Sequence, residues 1–146
     1  MNKRKIIILL ILAMAVIGFT MSSVSAASTT VKVGKSKNLG YHDKLSSYYA
    51  LKDGQDSKGV HLNLYYHTVD DGDDMGGHTY RLTKAKFYYK NKNGKVITRV
   101  SKSNGVRKYN HLYSKKIKGY TPYKIKVYYR KMTKNEKKLN KKYNLF

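Results

Sequence analysis

A period of two runs through most of the chain from Val60 onward, and it leaves little room for a helical framework. In "VHLNLYYHT" (60–68) Val60, Leu62, Leu64 and Tyr66 fall on one face, with His61, Asn63, Tyr65 and His67 on the other. "TYRLTKAKFYYK" (79–90) alternates as well, turning Thr83, Ala85, Phe87 and Tyr89 inward and Lys84, Lys86 and Tyr88 outward. Leu82 falls on the outward set, which calls for a bulge or a change of sheet beside it. "YKIKVYYRK" (123–131) places Tyr123, Ile125, Val127 and Tyr129 on one face and Lys124, Lys126, Tyr128 and Arg130 on the other. Shorter runs at 28–33, 95–101 and 106–118 read as further strands. Half-buried strands of this kind need a second layer to cover their apolar faces.

The punctuation agrees. "NKNG" (91–94) is a hairpin turn, because Asn and Gly tolerate the positive φ that tight turns require, and "SNG" (103–105) turns the chain again. Two segments carry helical spacing. In "DKLSSYYALKDG" (43–54) Asp43 stands as an N-cap, Leu45, Tyr48, Tyr49 and Lys52 recur at helical intervals, and Gly54 is a stop, so 34–59 reads as an irregular or helical insertion. In "TKNEKKLNKKYN" (133–144) Thr133 and Glu136 have capping-box spacing, so 132–146 is a short helix, or a loop leading to a last strand at 142–146.

"IKGYTPYKIKV" (117–127) resembles the approach to strand F of fibronectin type III and other immunoglobulin-like domains: an apolar residue, a Gly/Pro turn, then a tyrosine opening an alternating strand. The resemblance implies that Tyr123 is a structural corner tyrosine whose hydroxyl bonds back to the upstream backbone. The fold expected is therefore mainly β: an antiparallel immunoglobulin-like β-sandwich with irregular or short helical insertions. The alternative is an α+β arrangement, a single antiparallel sheet with a covering helix.

The first residues bear on location. Lys3, Arg4 and Lys5 precede an uninterrupted apolar run from Ile6 to Phe19, and Val24-Ser25-Ala26-Ala27 supplies small residues for cleavage. This is the layout of a secretory signal, 1–26, ahead of a single small basic domain, 27–146. The expected location is secreted or at the cell surface; an uncleaved segment would make it an N-terminal membrane anchor, the only membrane contact expected. With no cysteine, such a domain is held by its core rather than by disulfides.

Charge is divided unevenly. Residues 27–78 carry six Lys/Arg and seven Asp, whereas 79–146 carry 22 Lys/Arg and the single Glu136. A field of that sign attracts anionic cell-wall or surface polymers. Nucleic acid is a poorer partner, since export separates the two and no base-reading motif is present. Lysine outnumbers arginine 26 to 5, a bias that an AT-rich genome also produces without any binding role.

Catalytic patterns are missing. There is no Cys nucleophile, no Gly-x-Ser-x-Gly elbow, no Gly-rich phosphate loop, and no well-separated pair of acids for glycoside hydrolysis. The chain is thus expected not to be an enzyme and to need no cofactor. One stretch keeps a metal option open. His67 and His78 flank "DDGDD" (70–74), and with Asp71 and Asp73 (or Asp70 and Asp74) they could hold Zn, nickel or copper, or the aspartates alone Ca. A plain acidic turn explains the same composition. His61 stands six residues from His67, roughly 20 Å along a strand, and so cannot join it on one ion.

The leading expectation is an exported, non-catalytic module that binds anionic polymers or surfaces through Lys84, Lys86, Tyr88, Arg99, Lys124, Lys126, Tyr128 and Arg130. A metal-binding or metal-dependent hydrolytic protein using the 67–78 loop and a purely structural envelope protein are the alternatives.

Overall fold

The computed structural model describes residues 26–52, 54, 56–66, 79–103 and 109–142. Eight strands and one helix follow in order: β1 Ala27–Lys32, β2 Ser36–Gly40, β3 Asp43–Ala50, β4 Gly59–Tyr66, β5 Tyr80–Lys90, β6 Val96–Lys102, β7 His111–Lys115, β8 Thr121–Lys131 and α1 Lys134–Lys142. They build two four-stranded antiparallel sheets, ordered β1-β8-β5-β6 and β2-β3-β4-β7. The protein is mainly β, a sandwich with one short helix among the described residues. Residues 67–78, with the acidic stretch, lie outside the described residues, as do residues 1–25, 104–108 and 143–146.

The inner faces follow the alternation. Leu45, Val60, Leu62, Leu64 and Leu112 of the second sheet meet Val31, Leu82, Ala85, Phe87, Tyr89, Ile125 and Val127 of the first, all buried. Branched and aromatic side chains of this kind suit a pleated, half-buried surface. Tyr89 ties the two layers together: its hydroxyl donates to Lys115 O at 2.9 Å and also meets Ser114 Oγ, both on β7. Burial raises the pKa of Tyr89, so the neutral donor persists.

The bulge called for at Leu82 is present. Leu82 pairs with Tyr129 while Lys84 pairs with Tyr128, so Thr83 is the extra residue and bonds through Oγ1 to Tyr128 O. Both Leu82 and Ala85 thereby face the core. In the 91–94 hairpin Asn91 Oδ1 accepts the Asn93 and Lys95 N–H groups, and Gly94 takes φ +84°. The capping box forms too: Glu136 N donates to Thr133 Oγ1 at 3.2 Å and Thr133 N to Glu136 Oε1 at 3.0 Å.

The reading of 34–59 as an irregular or helical insertion is corrected: it forms β2 and β3, joined by a tight turn at Tyr41 and His42. Both turn residues have positive φ, 50° and 74°. The inward set of β3 is Leu45, Ser47 and Tyr49, and Ser47 is the reason the period of two was hidden. Its buried hydroxyl accepts from Gly34 N and donates to Lys32 O, both at 3.1 Å, which pins β3 to the β1–β2 turn. Asp43 caps no helix; its buried carboxylate accepts Thr79 N and Tyr80 N at the start of β5.

Candidate functional site: a lysine–tyrosine lattice

Alternation turns Lys84, Lys86 and Tyr88 outward on β5 and Lys124, Lys126 and Tyr128 outward on β8, and the antiparallel register sets them opposite one another. Lys84 faces Tyr128, Lys86 faces Lys126, and Tyr88 faces Lys124. The outer strands extend each row: Lys102 stands beside Lys84 on β6 and Lys32 beside Lys124 on β1. Six lysines therefore share one sheet face, arranged around two tyrosine rings.

The rings hold ammonium groups. Lys84 Nζ lies 4.5 Å and Lys126 Nζ 5.4 Å from the Tyr128 ring centre; Lys124 Nζ lies 4.7 Å and Lys86 Nζ 5.4 Å from that of Tyr88. Each distance is within cation–π range. The tyrosines thus carry cations on their faces, which makes them spacers for charge rather than bare platforms for stacking. No carboxylate among the described residues enters these three rows; Asp43 and Asp56 belong to the other sheet and its loop, and Glu136 sits at the helix.

Two of the eight expected contact residues stand apart from the lattice. Arg99 pairs with Phe87, a core residue, so it projects from the inner side at the sandwich rim, and Val100 takes the outward place beside Lys86. Arg130 is committed to structure. It meets Glu136 through Nη1–Oε1 at 2.6 Å and Nη2–Oε2 at 3.2 Å, while Arg81 reaches Glu136 Oε2 and Ser103 Oγ. This triad docks α1 on the sheet. Burial pushes the Glu136 carboxyl up, but Arg130, the Thr133 N–H and Arg81 outweigh it and bring the pKa to about 2.

Tyr123 departs from its expected corner role. Tyr88 pairs with Lys124 and Tyr89 with Pro122, so Tyr123 is the extra residue of a second bulge. It is half-buried, its ring 6.2 Å from that of Tyr88 and 5.7 Å from Lys124 Nζ. Tyr89 makes a hydroxyl-to-backbone bond of another kind, across the sandwich to Lys115 O on β7.

A second constellation, on the outer face of the other sheet, was not anticipated. The register aligns Tyr48, His61 and Tyr113 in one row and Asn63 with His111 in the next. Tyr48 stacks on His61 at 4.8 Å with the planes 7° apart, Tyr113 covers it at 4.8 Å, and His61 is only 5% exposed. His61 Nδ1 lies 3.1 Å from His111 Nε2, and His61 Nε2 lies 2.7 Å from Ser57 O. His111 is exposed as a residue but turns this nitrogen towards His61; local burial first, and His61 second, lower its pKa. The only trace in the sequence is a His-Leu pair opening each strand core, at 61 and 111, which does not reveal that β4 and β7 are neighbours.

Among the described residues no group of three or more His, Cys, Asp or Glu is placed to hold a metal ion. The Zn or Ca option at His67, His78, Asp71 and Asp73 falls outside the described residues. No described helix is long and apolar enough to cross a membrane. Compared with protein-family models, curated proteins and solved structures, the chain matches none, and nothing in them identifies an immunoglobulin-like domain.

Proposed function

We propose that this protein is an exported, non-catalytic module of the cell surface or secreted fraction that binds anionic polymers or surfaces. One observation carries the reading: Lys32, Lys84, Lys86, Lys102, Lys124 and Lys126 are gathered on one sheet face, and among the described residues no carboxylate stands in their rows. Lys86 and Lys126 stand directly opposite each other, an arrangement that costs stability unless something anionic offsets it. Lysine ammonium groups are point charges without the planar fork of arginine. Such a face therefore selects by charge density more than by ligand shape, which suits a wall polysaccharide, a teichoic-type chain or an anionic surface. Export rests on the N-terminal layout of residues 1–26.

Retention on immobilised heparin and on isolated cell wall tests it. Wild-type protein should elute at a salt concentration that the quadruple variant K84E/K86E/K124E/K126E never approaches, whereas K35E/K37E should elute close to wild type. Equal elution of the two variants, or retention that ignores salt, rejects the lattice as the binding face.

A further inference from the structure

We propose that His61 and His111 are the protein ligands of a site for one borderline divalent transition-metal ion: copper(II), nickel(II) or zinc(II). Two imidazole nitrogens bound to one tetrahedral ion at the usual metal–nitrogen length of about 2.0–2.1 Å stand about 3.3 Å apart. His61 Nδ1 and His111 Nε2 already stand 3.1 Å apart. The second nitrogen of His61 supplies an independent sign. Nε2–H donates to the Ser57 carbonyl at 2.7 Å, which leaves the lone pair on Nδ1 and fixes the ring, the support that metal-bound histidines ordinarily have. Tyr48 and Tyr113 clamp the same ring from either side, so little ordering remains to be done on binding.

The pair opens onto a cavity of about 400 Å³ lined by Ser57, His61, Ser101, Lys102, His111 and Tyr113, among others. That space admits the water molecules that would complete the coordination shell. A nitrogen-only pair selects against Ca²⁺ and Mg²⁺, which require oxygen ligands, and favours copper most.

Without an ion the pair is a hydrogen bond, His111 Nε2–H donating to His61 Nδ1. Binding requires the His111 proton to move from Nε2 to Nδ1, a tautomer change that releases no net proton. The solvent-facing side of the His111 ring leaves room for it.

Calorimetric titration of the full chain, carrying no histidine tag, with CuCl₂, NiCl₂ and ZnCl₂ tests the site, alongside ¹⁵N NMR of the imidazoles. One ion per chain should bind, copper most tightly, and H111N should weaken it at least roughly tenfold while leaving the metal-free melting temperature near wild type. H61N should do the same to binding, and the exposed position of His111 keeps the test meaningful if H61N folds poorly. H67N/H78N should bind as wild type does. The proposal is overturned if H111N binds as wild type does, or if the loss follows H67N/H78N instead. It is also overturned if His111 keeps its proton on Nε2 with saturating metal, which would leave only a pair sharing a proton.

Discussion

The two sheets turn opposite characters to solvent although one rule of alternation writes both. The outer face of the β1-β8-β5-β6 sheet is open, with lysines held apart by their own repulsion and steadied on Tyr88 and Tyr128. On the β2-β3-β4-β7 sheet the outer face is packed around one ring: Tyr48 stacks on His61, Tyr113 lies tilted against it, and Tyr113 reaches over Gly59 to donate its hydroxyl to Lys58 O. Polar in the alternation is therefore not the same as exposed. Charge keeps one face open to solvent, and on the other ring packing buries His61 between Tyr48 and Tyr113.

The closed face should be the more easily broken. Gly59 has φ +146°, and a Cβ there would lie 2.2 Å from Ser114 O and 2.8 Å from the Tyr113 ring. Backbone strain and the clash together should make Gly59→Ala cost about 3 kcal/mol, read as a lower urea midpoint. Lys84→Ala on the open face should change stability by less than about 0.5 kcal/mol. Equal effects of the two would remove the distinction between the faces.

How far the sequence showed this varies with how local the cause is. The strands β4, β5 and β8, the Leu82 bulge, the Asn91–Gly94 hairpin and the Thr133–Glu136 box all depend on neighbours within a few residues, and all were legible. β3 was not, because Ser47 puts a hydroxyl at an inward position and Leu45, Tyr48, Tyr49 and Lys52 also fit a helix. Asp43 has the chemistry of a cap, two N–H groups on one carboxylate, but Thr79 and Tyr80 supply them from 36 and 37 residues away. The lattice was partly legible. Outward lysines follow from alternation, whereas the diversion of Arg130 to Glu136 and the facing of Arg99 depend on register and on where α1 docks. The His61–His111 pair required knowing that β4 lies beside β7, and local pattern carries no such information.

The open face has one closed corner, where Glu136 joins Arg81 and Arg130. Its folded pKa of about 2 lies below the ordinary 4.5, so its contribution is complete above about pH 4.5 and disappears as pH falls towards 2. The span is worth about 2–3 kcal/mol once partial exposure of Arg130 is discounted. Urea midpoints from pH 6 to pH 2 should fall more steeply for wild type than for Glu136→Gln, and the two should converge near pH 2. Parallel curves would mean that the triad does not hold the helix.

The smallest expected effect separates a lattice kept for a partner from a merely lysine-rich surface. Lys126 stands opposite Lys86, and K126E replaces that repulsion with an attraction, a gain of up to about 1 kcal/mol. It also gives up the Lys126 contact with Tyr128, worth about 0.5 kcal/mol, while Lys84 remains over the same ring at 4.5 Å. The net expectation is a variant about 0.5 kcal/mol more stable at low salt, a gain that fades near 1 M salt as screening shortens the reach of both terms. Its retention on heparin should nevertheless fall. A rise in stability together with a loss of binding means that the repulsion is retained because an anionic partner uses it. A loss of stability would instead make the lysine–tyrosine contacts structural, and unchanged retention would remove Lys126 from the binding face.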